Sequence, residues 1–214
     1  MKQNIYEAVK AGYGKVSSFA IWASPRGGEG AKSGIADLSP LDPVKNPGVL
    51  ERLRNDVVFV GLNPSRGLKN KPDFANFHDE SPRGTDYILR RTLAGTPWEG
   101  AFMTDFIHDF IHTDAKAAMK KIKADRKYYK NCMDAFIREL NTLAGENGKK
   151  PVLVAMGNDV EMLLRDSYCK RFENESDLTA AGFTVGKISH YAASVSSRKR
   201  QEELDALRQI FSGC

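Results

Sequence analysis

One uninterrupted apolar run limits the folds that this chain can adopt. Residues 57–60 read Val-Val-Phe-Val, and Gly61 ends the run. Such a run predicts a strand buried on both faces, which is typical of a parallel sheet covered by helices. Leu62-Asn63-Pro64 must then turn sharply, because proline fixes its own φ and restricts the residue before it. Asn63 is therefore expected at the carboxyl end of a core strand, where ligands of open α/β sheets bind, although an ordinary strand-to-helix turn remains the alternative.

Apolar runs alternate with amphipathic segments along the rest of the chain. Strands are predicted at 19–23, 101–107, 151–156 and 183–189. Helices are predicted at 85–93, 125–144, from 158, and at 197–211, and the helix at 125–144 is the clearest because its apolar side chains form one stripe. This order predicts an α/β protein, with a three-layer α/β/α domain around a mostly parallel sheet. We expect one domain over 1–214, with residues 1–50 as an irregular N-terminal extension packed on it.

The composition of the chain indicates its location, the state of its cysteines and the kinds of partner that it can bind. No apolar run is long enough to span a membrane and the first residues lack the apolar core of a secretory signal, so we expect a cytoplasmic protein without a membrane partner, acting as a monomer. The widely spaced Cys132, Cys169 and Cys214 predict free thiols rather than a disulfide framework or a metal site. The net charge of +5 permits a nucleic-acid partner. The Pro- and Gly-rich segment 24–47 is predicted to be a surface loop.

Several short motifs follow the predicted strands in a recognisable order. Gly61-Leu-Asn-Pro-Ser65 follows the first core strand, and Val152-Leu-Val-Ala-Met-Gly157 opens a later helix. His190 follows the last strand, and Arg198 begins the closing helix. This order resembles the uracil-DNA glycosylase superfamily, above all its mismatch-specific and single-strand-selective branches with their Gly-x-Asn-Pro-Gly motif. The resemblance covers roughly residues 50–214, and the strong motif identity lies in Gly61 to Pro64.

The resemblance implies a uracil-DNA-glycosylase-like fold and a DNA repair hydrolase that excises a damaged or mismatched base from DNA without a cofactor or metal. It implies that Asn63 orients the attacking water and that His190 donates a hydrogen bond to the departing base. An aromatic ring stacks on the base, and Phe77 is preferred to Phe74 for this role. The implied base-binding residues are Gly61, Leu62, Pro64, Phe77 and Asp105, and the implied phosphate-binding residues are Ser65, Arg66, Ser194, Ser196, Ser197 and Arg198.

Three departures from the family pattern leave other functions open. Ser65 replaces the usual glycine, and the segment His190-Tyr-Ala-Ala-Ser194 lacks the usual proline. Asp105 stands where several branches use Asn, and an ionised carboxylate can only accept hydrogen bonds, so it would oppose a carbonyl of uracil. The alternatives are a non-catalytic module that binds a nucleic acid or nucleotide, and a hydrolase of free nucleosides or other small molecules.

Two further clusters contain residue types that can bind a ligand. His108 and His112 are four residues apart, a spacing that can bind zinc, but the flanking Glu of the metalloprotease pattern is missing. Arg198, Lys199 and Arg200 lie in the predicted first helical turn, where cations are unfavourable by roughly 0.3–1 kcal/mol. This second cluster favours a bound phosphate, and the alternative is that the side chains extend into solvent.

Overall fold

The computed structural model describes residues 1–28, 31–67, 70–145, 148–165, 178 and 182–212, and of residues 211 and 212 it describes the backbone alone. Cys169 and Cys214, both predicted to be free thiols, and the side chain of Phe211, at the end of the predicted helix 197–211, lie outside this part. The strands of the sheet are β1 (Ser17–Phe19), β2 (Val57–Gly61), β3 (Phe102–Asp105), β4 (Val152–Met156) and β5 (Val185–Ile188).

The sheet has the strand order β1-β3-β2-β4-β5. β2 pairs in parallel with β3 and β4, and β4 pairs in parallel with β5. β1 is an antiparallel edge strand beside β3. The prediction of an α/β fold around a mostly parallel sheet is confirmed. Because the carboxyl ends of parallel strands lie at one edge, the segments that follow β2 to β5 meet there.

The helices in the described residues cover both faces of the sheet. They are α1 (Gln3–Tyr13), α2 (Val49–Arg52), α3 (Asp86–Leu93), α4 (Ala115–Ala124), α5 (Arg126–Ala144), α6 (Asn158–Leu164) and α7 (Ser197–Ser212), with a short 3-10 turn at Ser39–Leu41. Side chains of β2 alternate between two core clusters, as strand geometry requires. Val58 and Val60 pack with residues of α1, α4, α5 and α6. Val57 and Phe59 pack with residues of α3 and α7, so the arrangement is compatible with three layers.

The amino-terminal region contains more regular structure than the irregular extension that the sequence predicted. Residues assigned to an irregular extension form α1 and β1, and β1 lies at 17–19 rather than at 19–23. The short helix α4 was not predicted. None of the helices within the described ranges has the length and apolar character needed to cross a membrane.

Candidate functional site

The carboxyl ends of β2 and β3 meet at a close contact between Gly61 and Asp105. The two residues are partners in the register of the parallel pair. A Cβ atom on Gly61 would lie 2.2 Å from Oδ1 of Asp105 and 3.5 Å from Cε1 of Phe77. Residue 61 must therefore be glycine, because the carboxyl group of Asp105 occupies the space that a Cβ atom would need. By strand alternation, Gly61 and Asp105 face the α3 and α7 side of the sheet, where Phe77 also lies.

Phe77 is held in a conformation that bulky residues rarely adopt. Its φ of 62° lies in the left-handed region, as does the φ of 63° at Phe74. The amide of Asn76 fixes this turn, since its Oδ1 accepts from the Phe77 N–H at 3.1 Å. Trp22 Nε1 donates to the Phe77 carbonyl at 3.2 Å. Backbone strain of this kind clusters at functional sites when the surrounding contacts impose it.

The two phenylalanines of this loop serve different parts of the molecule. Phe74 packs against Tyr6 and Phe19, with ring centroids 5.5 and 5.3 Å apart. It therefore belongs to the core beneath α1. Phe77 lies beside Gly61, at the edge where the sequence placed the site.

The carboxyl group of Asp105 is buried with one fixed hydrogen-bond donor. Asn76 Nδ2 donates to Asp105 Oδ2 at 2.8 Å and to the Val16 carbonyl at 2.7 Å. Both ends of the Asn76 amide are thus engaged, and its orientation is determined. Burial raises the pKa of Asp105 to about 7, with smaller raising effects from Glu139 and Asp86, while Asn76 and His108 act in the opposite direction. Near neutral pH two forms of Asp105 are therefore present: the ionised carboxylate, which only accepts hydrogen bonds, and the protonated carboxyl, which can also donate one.

The side chain of Asn63 is tied to the loop that follows β3. Its Nδ2 lies 3.1 Å from the Pro64 carbonyl, 3.1 Å from the Phe110 carbonyl and 2.8 Å from the His112 carbonyl. Three carbonyl oxygens surround Nδ2, and an amide nitrogen donates hydrogen bonds while an amide oxygen only accepts them. The orientation of the Asn63 carboxamide is therefore determined. Among the residues that the structure describes, no hydrogen bond to Oδ1 of Asn63 is formed, so that oxygen remains an acceptor.

His190 follows β5 and lies at the surface beside the end of β4. A Cβ atom on Gly157 would be 3.5 Å from the His190 Cβ. The imidazole stacks on the ring of Tyr191, with centroids 4.4 Å apart and an angle of 25° between the planes. Nδ1 accepts from the Ala192 N–H at 3.2 Å, so the neutral ring carries its proton on Nε2. Partial desolvation by these neighbours and the charge of Arg200 lower the pKa of His190, which favours the neutral form.

Asp86 links three loops at this edge, and the sequence analysis did not assign it to the site. Its Oδ2 accepts from the Asp79 N–H at 2.7 Å, and the Tyr191 hydroxyl lies near its carboxyl group. Burial raises the pKa of Asp86 to about 6 against the opposing effects of Arg66 and Tyr191. Arg66 forms an ion pair with Asp79 as well. The loop after β2 is thereby joined to the segments before α3 and after β5.

The residues predicted to bind phosphate have mixed environments. Ser65, Ser194, Ser196 and Ser197 are exposed, and Arg66 is half-buried. The Ser196 hydroxyl accepts from the Lys199 N–H at 3.2 Å, so it caps α7. The side chain of Arg198 is 88% exposed and pairs with Glu202. Arg200 has a structural role, because it donates to the carbonyls of Tyr191 and Ala193 at 2.9 and 2.8 Å.

The two histidines after β3 do not converge. His108 lies 3.2 Å from the buried Glu139, which also accepts from the Thr104 hydroxyl at 3.0 Å. Burial alone would lower the pKa of His108, but the hydrogen bond and charge of Glu139 outweigh it and raise the pKa. His112 instead accepts from the Asp114 N–H. In the described part of the chain no group of His, Cys, Asp and Glu side chains is arranged to hold a metal ion.

A surface cleft of about 560 Å³ lies between α1 and the segments around residues 36–45 and 72–74. Its lysines face an equal number of aspartates, and Lys15 is already paired with Asp73 at 2.9 Å. Its charged residues are Lys10, Lys15, Lys45, Asp37, Asp42 and Asp73.

Two residues near the site that the sequence did not predict, Glu139 and Asp86, occur in patterns that indicate a special environment. Glu139 lies three residues after Phe136 and four before Leu143, and therefore within the apolar stripe of α5, where a charged residue is expected only if it has a partner. Asp86 and Arg90 are four residues apart, a spacing that predicts an ion pair within α3. That interpretation is wrong, because Arg90 donates to the carbonyls of Ala23 and Ser33 at 3.2 and 3.0 Å.

The chain matches no protein-family model, no curated protein and no solved structure. The resemblance inferred from the motifs thus remains a prediction, and the function has to be argued from the geometry of the site.

Proposed function

We propose that this protein binds a nucleobase of DNA at the carboxyl edge of its sheet and hydrolyses the N-glycosidic bond of that nucleotide. The observation that carries the proposal is the contact over Gly61. There a buried carboxyl group and a fixed phenylalanine ring meet above a backbone position that has no room for a side chain. An aromatic ring beside a polar group suits a planar base, since stacking on an aromatic contributes about 1–3 kcal/mol. That gain offsets the few kcal/mol needed to flip a base out of its stack.

The polar groups around this contact suit the bond cleavage. The electron pair of the C1′–N bond passes to the departing base while positive charge develops on the sugar. The oxygen of a water molecule bonds to C1′, and the proton that this water loses ends on the departing base. Oδ1 of Asn63 is an acceptor for that water, and its direction is determined by the carbonyls that bind Nδ2. Nε2–H of the neutral His190 is a donor for the negative charge on the base.

The electrostatics of the surface are compatible with a DNA substrate. The chain has a net charge of +5, and the exposed cations Arg198 and Lys199 stand at the start of α7, close in sequence to His190. Lysine and arginine side chains that contact phosphates release counterions, which gives DNA binding a salt dependence. In this account Arg198 and Lys199 contact the phosphates, whereas Arg200 shapes the turn that carries His190.

A second candidate function is binding of a nucleobase without catalysis. One observation favours it, namely that the amide of Asn63 is directed into the loop after β3, whereas His190 lies beside β4 on the other side of β2. Hydrolysis requires the two groups to act on one nucleotide. A binding module requires only the contact between Gly61, Phe77 and Asp105.

One screen separates these functions. The protein is incubated with duplex and single-stranded oligonucleotides that contain uracil, hypoxanthine, xanthine or mismatched bases, and with the corresponding free nucleosides. Strand cleavage by alkali reports abasic sites, and binding is measured as a function of salt. Abasic sites in any oligonucleotide support hydrolysis. Salt-dependent binding without abasic sites supports the binding module, and release of base from free nucleosides alone contradicts both.

A further inference from the structure

We propose that α4 and the first turns of α5 form a docking surface for the sugar–phosphate backbone of DNA, with the phosphates on a row of exposed lysines along α4. The inference rests on the proposed function for the identity of the partner, and none of the sequence motifs indicated this surface. Because α4 and α7 cover opposite faces of the sheet, it is distinct from the cations at the start of α7. Charge, side-chain exposure and contacts with Asn63 each support this role.

The excess positive charge of the protein is concentrated in residues 115–130. This stretch contains seven of the 32 lysines and arginines of the chain and one of its 27 aspartates and glutamates, Asp125. The stretch therefore carries a charge of +6 within a chain of net charge +5, and all other residues together carry −1. A local excess of this kind attracts polyanions, and a nucleic acid binds to it through its phosphates.

The lysines of α4 form one exposed row. Lys116, Lys120 and Lys123 are exposed, and their spacing of four and three residues places them on the same face of the helix. At about 1.5 Å of rise per residue, the row spans about 10 Å, the length of about three phosphates along one DNA strand. Another face of the helix packs in the core and is formed by Ala118, Met119 and Ile122.

This arrangement of cations does not stabilise the helices. The first two lysines of the row are four residues apart, and like charges at that spacing repel each other. Arg126 and Lys127 occupy the first turn of α5, beside the partial positive charge of the helix amino terminus. Phosphate groups bound along this surface remove both unfavourable effects.

The loop between β3 and α4 joins this surface to the candidate site. The His112 N–H donates to the Pro64 carbonyl at 3.1 Å. Asn63 Nδ2 donates to the carbonyls of Phe110 and His112. Lys116 is four residues further along the chain, so its α-carbon lies within about 14 Å of that of His112. The row of lysines therefore begins within about four nucleotides of this loop, measured along a stacked strand.

Aromatic side chains in the same loop distinguish a nucleic acid from other polyanions. The ring of Phe110 stacks on that of the exposed His112, with an angle of 7° between the planes and centroids 5.7 Å apart. Bases can stack on an exposed ring, whereas phosphate headgroups and acidic side chains cannot. Lys121 holds α4 against this loop, since its Nζ lies 4.8 Å from the ring centroid of Phe110 and 3.9 Å from that of Tyr128. Along α4, which the structure describes in full, no large apolar side chain is exposed for insertion into a membrane.

The test compares two double variants of the full chain. Lys120→Gln with Lys123→Gln removes two charges from the row, and Lys2→Gln with Lys149→Gln removes two charges from exposed lysines elsewhere. Both control lysines lie near the amino ends of strands. One precedes β4, and the other adjoins the amino group of the chain, which donates to the carbonyl of Leu53, before β2, at 3.1 Å.

Binding of labelled single-stranded and duplex oligonucleotides without any altered base is followed by fluorescence anisotropy over a range of salt concentrations. Vesicles of equal parts of phosphatidylcholine and phosphatidylserine are tested in parallel, and each variant is unfolded in urea. Both variants should keep the free energy of unfolding of the wild type, so that a changed slope reports a lost contact rather than a damaged fold.

In the variant of the row, the slope of the logarithm of the binding constant against the logarithm of the salt concentration should become shallower by about 1–2 units, because two phosphate contacts are lost. The control variant should keep the slope of the wild type. Equal slopes for the two variants would overturn the proposal, and so would binding of the wild type to the vesicles without binding to either oligonucleotide. Failure of the proposed hydrolysis is seen separately, as absent base release from altered oligonucleotides, while the slopes on unaltered DNA still decide where the backbone docks.

Discussion

Replacement of Asp105 by asparagine should change how stability depends on pH. The wild-type carboxyl is buried, and its pKa rises from 3.8 to about 7 on folding. A raised carboxyl pKa contributes stability that is complete below the unfolded pKa and is lost as the pH rises through the folded pKa. Each pKa unit corresponds to 1.36 kcal/mol, so about 3 kcal/mol of wild-type stability should disappear between about pH 5 and about pH 8. Asparagine does not titrate, and its Oδ1 can still accept from Asn76.

The free energy of unfolding is measured by urea titration at both pH values, with the fluorescence of the buried Trp22 and Trp98 as the signal. The free energy of unfolding of Asp105→Asn minus that of the wild type should increase by about 3 kcal/mol between about pH 5 and about pH 8. Asp159→Asn removes an exposed carboxyl from α6 and serves as the control, for which the difference should hardly change. A difference for Asp105→Asn that is the same at both pH values would refute the argument that burial holds this group protonated.

Three further predictions concern the same edge of the sheet. Gly61→Ala should lower the free energy of unfolding by about 1–3 kcal/mol through overpacking against Asp105, whereas Gly48→Ala, whose Cβ meets no described atom within 4 Å, should change it little in the same urea titration. Excision of uracil by the wild type should fall as the pH rises through about 7, and Asp105→Asn should be faster and insensitive to pH in this range, as followed by release of labelled uracil. Joint replacement of Arg198 and Lys199 by alanine should flatten the salt slope of DNA binding by about 1–2 units for every sequence, and Lys149→Ala, at the amino end of β4, should leave the slope unchanged in a fluorescence-anisotropy titration.

The central sheet could be predicted from the sequence because its strands are apolar and short. β2 and β4 are entirely buried, and their runs of apolar side chains stand out from the flanking turns. β1 was displaced in the prediction because Ser17 and Ser18 are polar although both are fully buried. Their hydroxyls are bonded to the carbonyls of Tyr13 and Phe74, contacts that no local pattern reveals.

The site could be predicted only in part, because some of its residues are positioned by tertiary contacts that no local pattern reveals. Gly61 and Asp105 end neighbouring strands and Asn63 follows one of them, so a sheet of the right order brings the three residues to one edge. Asp86 and Tyr191 reach that edge through loops whose paths depend on tertiary contacts. The spacing of Asp86 and Arg90 predicts an ion pair between them, but both residues are buried and Arg90 instead donates to backbone carbonyls.

The most direct test of the proposed hydrolysis compares the wild type with Asn63→Ala. Single-turnover release of free base is measured by mass spectrometry on the oligonucleotide that the wild type cleaves best, with DNA affinity and thermal unfolding measured on both proteins. The account predicts base release by the wild type and a rate at least roughly 100-fold lower in the variant at similar affinity, because the acceptor for the attacking water is lost. No base release by the wild type from any oligonucleotide, or equal rates for the two proteins, would contradict it.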